Sequence, residues 1–546
     1  MKPANVANGI QSLRSIAIIS CLWFGAAGNA VANDSWPEYG SSRQWSSTLS
    51  PAGELTTGNL PAPRLEWTIN VGEGRAQIIG DSEKIFIASA SKGNTTSAKS
   101  GSSIRNWIRC LETSTGKERW QIELESHLHR KEQETFGNQS ACPQATPLLI
   151  DGRLVAIDFA GVMVCLDANS GKQLWKKDLV ADVGAVPVQF GFASSPIRVP
   201  GTTDLLVLAA GPNGGLHRMS SKTGEIQWTA RSKSFSYATP ILAQLNDTRQ
   251  CIIVSEQRVC GIAISNGRKL WSYYLPKPGL TNVPTPLPVS SNRVLLSGQG
   301  CGGTCCIKLE KQADGAYRAT EVWSQPKVQL FYTNWMAIDD EYVIGCTDGF
   351  LALIRVQNGS IAGRWRGFSD GNLFRLNQRL VLVGGKGAMS FLQFPSKGDA
   401  LLETARFQLE KGRYWTPATV VGRHCLLRTD DRLTCYAFGP SDARTAGQLT
   451  SELEAPKRLA INSLQQVAAA DPVEAIFTTF EQKGQQAALE LYSRLRAGNK
   501  LDADHRLALA AAAGGQQLFK LQSMILQHAA VDLPDNREIA KALAEL

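Results

Sequence analysis

Apolar positions along this chain fall into short runs of about five residues separated by polar turns, a pattern typical of β-strands. The stretch 162–175, VMVCLDANSGKQLW, shows the pattern most clearly. Its apolar first half predicts one strand, and Trp175 lies on the strand that returns. Between them, Gly171 tolerates a positive φ at no steric cost, so the backbone turns there. The stretch therefore predicts a β-hairpin.

This hairpin recurs along the chain, and in four copies a turn glycine stands four residues before a tryptophan. These pairs are Gly116 with Trp120, Gly171 with Trp175, Gly224 with Trp228 and Gly267 with Trp271. In the next two copies, Trp323 follows a longer turn and Trp365 follows the turn at Gly359. A seventh copy ends at Phe407. Successive tryptophans are 42–55 residues apart, which is the repeat length of a four-stranded propeller blade. We interpret the glycines and tryptophans as the structural signature of the blades.

The repeats predict an all-β fold, an eight-bladed β-propeller over residues 64–440. The last unit, 415–438, lacks a final tryptophan strand, whereas the strand around Trp67 has no signature turn before it. We expect the Trp67 strand to pair with the last blade and close the ring, because closure protects sheet edges. Prolines recur between the units, at 147, 196, 240 and 417, and we expect them at the first residue of a strand.

The two ends of the chain differ from the repeats. Residues 446–546 are rich in Ala, Leu, Gln and Glu and predict a small α-helical C-terminal region. Residues 1–32 read as a signal peptide, with a basic flank, an apolar core and the cleavage sequence Ala30-Val31-Ala32. A lipid anchor at Cys21 is the disfavoured alternative, because it would leave a very short apolar core. Residues 33–63 predict an extended arm that lies across the surface.

Composition limits the classes of function. The chain has 546 residues, 43% of them hydrophobic, and can therefore bury a large core. Its net charge of +9 is spread without a block of Lys and Arg, which argues against a nucleic-acid partner. No segment other than the signal region approaches the roughly 18 apolar residues of a membrane-spanning helix. The signal peptide predicts export to the periplasm or cell envelope.

The stretch 165–175, CLDANSGKQLW, resembles the repeat of the quinoprotein-like, pyrroloquinoline-quinone-type β-propellers. That repeat has an apolar pair, an aspartate, a turn of small residues with glycine, and a tryptophan four residues on. The resemblance implies the propeller fold. It leaves two functions open, since the family includes quinone-dependent dehydrogenases as well as non-catalytic exported proteins. The organisation of this chain is most similar to exported bacterial members of unknown activity.

Candidate chemistry is sparse. We expect the tryptophans to pack between neighbouring blades and not to stack on a cofactor. Quinone dehydrogenases resemble one another in a disulfide between adjacent cysteines, but Cys305-Cys306 here reads as a strand, where neighbouring side chains point to opposite faces. Cys301 with Cys305, or Cys425 with Cys435, are more ordinary disulfide candidates. His127 and His129 lack an evident third metal ligand, so we assign neither a metal site nor a catalytic residue.

The sequence thus predicts an exported, non-catalytic propeller that binds proteins through its loops or its C-terminal helices, with no cofactor. The alternative is a dehydrogenase that uses pyrroloquinoline quinone and calcium.

Overall fold

The computed structural model divides into two compact units, Met1–Asn462 and Ser463–Leu546. The structure describes residues 35–40, 46–47, 62–92, 104–124, 142–186, 190–232, 237–277, 279, 283–313, 316–347, 349–368, 371–376, 379–393, 401–438, 457–459, 476, 490–493, 495–496, 501, 506, 510, 519–533, 539 and 542. The signal region with Cys21 and the His127 and His129 pair lie outside these residues.

The first unit is an eight-bladed β-propeller, as the repeats predict. Each blade is an antiparallel sheet of four strands, which we call a to d in the order of the sheet. Blades 1 to 4 consist of Ile79–Asp81, Lys84–Lys92, Ile104–Glu112 and Glu118–Leu124; Leu148–Ile150, Arg153–Ile157, Val162–Asp167 and Gln173–Asp178; Ile197–Arg198, Asp204–Ala209, Gly215–Ser220 and Ile226–Arg231; and Ile241–Leu245, Thr248–Val254, Arg258–Ala263 and Lys269–Tyr274.

Blades 5 to 8 follow the same plan, and blade 5 carries a 3₁₀ turn between its second and third strands. They consist of Leu287–Ser290, Arg293–Gly298, Gly303–Lys311 and Tyr317–Gln325, with the turn Gln299–Cys301; Met336–Ala337, Tyr342–Cys346, Phe350–Arg355 and Ile361–Arg366; Asn372–Leu376, Arg379–Val383, Ala388–Gln393 and Leu401–Gln408; and Thr419–Val421, His424–Arg428, Arg432–Ala437 and Arg64–Asn70.

Blade 8 combines strands from opposite ends of the propeller sequence. Strand d, Arg64–Asn70, pairs antiparallel with Arg432–Ala437, so that Trp67 lies opposite Cys435. Arg428 adds a polar link to blade 1. Its buried guanidinium donates from Nη1 to Ala88 O at 2.8 Å and from Nη2 to Gly72 O at 3.0 Å.

Strands a are the inner strands of the ring, since those of neighbouring blades lie against one another around the axis. The prolines that we expected at the first residue of strand a stand one or two positions earlier. Pro147, Pro196 and Pro240 directly precede their strands, and Pro417 stands two residues before Thr419–Val421.

Three short strands extend the blades. Ser35–Trp36 adds to the inner edge of blade 1, Ser46–Ser47 runs parallel to strand a of blade 7, and Lys457–Leu459 adds to strand d of blade 7. The prediction that the N-terminal arm lies across the surface is wrong for its first residues, because Trp36 is only 1% exposed. The inner strands present free backbone donors and acceptors, and the arm satisfies some of them by strand pairing.

The second unit contains the helix Phe519–Asp532. The carboxylate of Asp532 accepts hydrogen bonds from Arg496 Nη2 at 2.7 Å and from Arg506 Nη1 at 2.7 Å. These bonds tie the helix to the preceding part of the unit. No helix in the described parts of the chain is both long and apolar enough to cross a membrane.

Candidate binding site on the connection face

The tryptophans of five blades lie against the turn glycine of the following blade. A Cβ atom at Gly171 would lie 2.7 Å from Trp120 Cε3, and one at Gly224 would lie 3.0 Å from Trp175 Cδ2. The other such pairs are Trp67 with Gly116, Trp228 with Gly267 and Trp323 with Gly359. These turn glycines have φ between +70° and +74°. Glycine is therefore needed twice, for the left-handed turn and for the approach of the indole.

Four of these tryptophans also donate their indole N–H to a backbone carbonyl of the following blade. The bonds are Trp67 to Thr113 O at 3.1 Å, Trp175 to Ser221 O at 2.9 Å, Trp228 to Ile264 O at 3.2 Å and Trp323 to Val356 O at 2.9 Å. Each contact combines a hydrogen bond with packing of a ring on the turn, so it fixes the angle between neighbouring blades.

Trp271 and Trp365 behave differently. Each lies over a glycine of its own blade, Gly261 and Gly363 respectively, and Trp271 donates to Gln250 Oε1 at 2.5 Å. The turns of the following blades, 314–315 and 397–398, lie outside the described residues. Neither turn has its glycine four residues before a tryptophan.

A second set of contacts joins the blades near the axis, and the sequence interpretation missed it. Backbone N–H groups that precede strand a donate to a hydroxyl of the next blade: Gln77 to Thr146 Oγ1 at 3.0 Å, Thr146 to Ser195 Oγ at 2.9 Å and Ser195 to Thr239 Oγ1 at 3.2 Å. The signal was present in the recurring Thr-Pro and Ser-Pro pairs. The proline marks the start of strand a, whereas the hydroxyl before it makes the contact.

The N-terminal segment 35–40 spans the middle of the ring. Pro37 O accepts from Leu149 N in blade 2 at 2.8 Å, and Glu38 Oε2 accepts from Arg198 N in blade 3 at 3.1 Å. Tyr39 reaches the connection before blade 6, where its hydroxyl accepts from Asn334 Nδ2 at 3.2 Å. Part of the space where a ligand could approach the inner strands is therefore taken by the chain itself.

The cysteines form no disulfide among the described residues. All eleven described cysteines except the half-buried Cys260 are buried. Cys305 and Cys306 point to opposite faces of their strand and join different hydrophobic clusters. Cys301 and Cys305 hydrogen-bond through their thiols, and this contact raises the pKa of Cys305, as does burial. The two ordinary disulfide candidates are thus dithiols in this structure.

The most exposed aromatic side chains between blades lie on one face of the propeller. Because strands a to d alternate in direction, the loops between strands b and c and the connections from strand d to the next blade emerge on the same side. We call this side the connection face. Here Tyr332 is 54% exposed and Phe331 is 39% exposed, both in the connection between blades 5 and 6. The ring of Tyr332 meets Trp415, from the connection between blades 7 and 8, edge to face at 5.1 Å.

These rings border an open depression of about 310 Å³, which we call the aromatic depression. It is lined by Phe331, Tyr332, Thr333, Cys346, Thr347, Asn372 and Trp415. The polar side chains hold its walls in place, since Thr333 Oγ1 donates to Cys346 O at 2.7 Å and Asn372 Nδ2 donates to Trp415 O at 3.0 Å. The buried indole N–H of Trp415 has no acceptor among the described residues.

Two guanidinium groups flank Trp415. Arg75 Cζ lies 5.6 Å from the centre of the Trp415 ring, and Arg413 Cζ lies 5.4 Å from it. These are distances of a cation–π contact. Neither arginine forms an ion pair within the described part of the chain, and no carboxylate lines the depression. The aromatic depression is therefore apolar with an uncompensated positive edge.

The described residues do not assemble a metal centre. No three His, Cys, Asp or Glu side chains among them come together as ligands of one ion. Calcium needs six to eight oxygen ligands, and the described residues offer no such group around the aromatic depression.

Comparisons with known proteins agree with the repeat. The family model described as "Outer membrane protein assembly factor BamB" matches residues 105–364. Among curated proteins, no sequence matches this chain.

Solved structures that match this chain include BamB from Moraxella catarrhalis, at 14% identity and a TM-score of 0.45, over 70% of this chain and 99% of that one. The computationally designed Ika8 protein is 12% identical with a TM-score of 0.36, over 55% of this chain and 97% of that one. Quinohemoprotein alcohol dehydrogenase from Comamonas testosteroni is 11% identical with a TM-score of 0.34, over 83% of this chain and 86% of that one.

Proposed function

Since this chain belongs to the quinoprotein-like β-propellers with pyrroloquinoline-quinone-type repeats, we propose that it is an exported, non-catalytic protein-binding or scaffolding module of the cell envelope. The family model that matches residues 105–364 carries the description of an outer membrane protein assembly factor. That description supports a role in protein assembly and a location in the envelope. The signal-like N-terminus supports export.

The observation that carries the proposal is the exposed aromatic pair Phe331 and Tyr332 on the connection face. Apolar rings on loops between blades contribute little to the stability of the ring, because they pack against few neighbours. Aromatic side chains are enriched in protein interfaces, where they bury a large area at low entropic cost. The inner edge of the ring is partly filled by the segment 35–40, so we place the binding surface on the loops.

Crosslinking in living cells tests this proposal. A photoreactive amino acid at position 331 of the full-length chain should give a crosslink to one envelope protein, and fractionation should recover the chain in the envelope. The same group at position 274, an exposed tyrosine on the outer strand of blade 4, serves as the control.

Three results would overturn the proposal. Recovery of the chain in the cytosol contradicts export, and equal crosslinking from positions 331 and 274 contradicts a defined surface. Dye-linked alcohol oxidation by the purified chain with pyrroloquinoline quinone and calcium contradicts a non-catalytic role.

A further inference from the structure

We infer that the aromatic depression is a peptide-binding site that takes an apolar side chain together with a neighbouring carboxylate. The inference deepens the proposed function and rests on it, because it names the chemistry that a protein partner presents.

Charge favours an anionic ligand. Arg75 Cζ and Arg413 Cζ lie 5.6 Å and 5.4 Å from the centre of the Trp415 ring, and no carboxylate lines the depression beside them. Two cations that share one ring repel each other, and an anion between them relieves this repulsion. Arginine suits a carboxylate, since its planar fork donates two parallel hydrogen bonds.

The polar groups of the walls are engaged within the chain. The hydroxyl protons of Thr333 and Thr347 are given to Cys346 O and Phe350 O, and an amide proton of Asn372 is given to Trp415 O. The guanidinium groups of Arg75 and Arg413 therefore remain as the charged donors beside the depression.

The exposed rings favour an apolar group. The depression is open, so its volume of about 310 Å³ includes solvent space outside the walls. An apolar side chain placed there would meet the exposed rings of Phe331 and Tyr332. A neutral polyol would leave both guanidinium groups uncompensated. A peptide that carries a carboxylate one residue or less from an apolar side chain fits both the charge and the rings.

Calorimetric titration of the purified full-length chain tests the site. The probes are the peptide acetyl-Ala-Gly-Phe with a free C-terminus, the same peptide as its C-terminal amide, and acetyl-Ala-Asp-Phe amide. We expect the free acid to bind at least about tenfold more tightly than the first amide, as the loss of a hydrogen bond to a charged group implies. The aspartyl peptide shows whether a side-chain carboxylate can replace the terminal one.

Variants locate the binding. Arg413→Gln and Tyr332→Ala should each weaken binding of the free acid by about tenfold or more. The matched controls are Arg258→Gln and Tyr274→Ala. Arg258 Cζ lies 4.2 Å from the ring of Tyr274, which is 60% exposed. Neither residue lines the aromatic depression. The controls should leave the affinity unchanged.

Several outcomes would overturn the inference. Equal affinity for the free acid and both amides contradicts carboxylate recognition, and equal loss in the control variants contradicts the location. Binding of a neutral oligosaccharide or of pyrroloquinoline quinone in preference to the peptides assigns the site to another ligand. If no peptide binds while the crosslink from position 331 persists, the inference fails and the proposed function stands.

Discussion

The contact between Trp120 and Gly171 gives a quantitative test of how the blades are joined. Replacing Gly171 by alanine has two costs. The first is backbone strain at φ +72°, about 1–2 kcal/mol for an L-residue in the left-handed region. The second is overlap, because the new Cβ lies 2.7 Å from Trp120 Cε3, whereas carbon atoms prefer about 3.5–4.0 Å. The indole must move away by about 1 Å, and such overpacking costs about 1–3 kcal/mol.

A matched control separates the two costs. Gly152 has φ +73°, and a Cβ there would meet nothing within 4 Å. Gly152→Ala therefore carries the backbone strain alone. In urea unfolding followed by far-ultraviolet circular dichroism, we expect Gly171→Ala to lower the free energy of unfolding by about 1–3 kcal/mol more than Gly152→Ala.

The double variant Trp120→Leu with Gly171→Ala identifies the tryptophan as the cause. With the indole removed, the added cost of the alanine should fall to that of Gly152→Ala, which appears as a coupling energy in the mutant cycle. The reasoning is refuted if the two single variants unfold at the same urea concentration with equal slopes, since the overlap would then have no energetic consequence.

Three further predictions concern closure, pH and thiols. Trp67→Ala should cost as much as Trp175→Ala, roughly 2–4 kcal/mol in urea unfolding, and a cost under about 1 kcal/mol for Trp67 alone would refute closure by its strand. Burial lowers the pKa of His217 to about 4, so the unfolded chain binds a proton below pH 6.5 while the folded chain does not. Stability should therefore fall by roughly 3 kcal/mol between pH 6.5 and 4, and His217→Gln should remove this loss; an unchanged profile contradicts it. Of the eleven described cysteines, the reduced folded chain should react rapidly with a thiol reagent at most at Cys260, because the others are buried; rapid modification of a second, counted by mass spectrometry, contradicts it.

The sequence by itself determined the propeller, because the information is local and repeated. Alternating apolar runs, a turn glycine and a tryptophan four residues on specify each hairpin within about a dozen residues, and the spacing of 42–55 residues specifies the blade. The strand around Trp67 was identifiable as part of the last blade, because the last unit, 415–438, lacks a final tryptophan strand. The pairing of that strand with Arg432–Ala437 joins parts of the chain that are far apart in sequence.

Only the tertiary structure decided which groups meet. Five tryptophans contact the turn of the next blade, 36–51 residues away, and no spacing inside one hairpin encodes this partner. The hydroxyls before the prolines act across blades for the same reason. The aromatic depression collects Arg75, Tyr332, Arg413 and Trp415 from three separate connections. The connections between blades repeat the hydroxyl and the proline before strand a but not these aromatic and basic residues, so periodicity could not identify this site. The ring must first form before these four side chains share one surface.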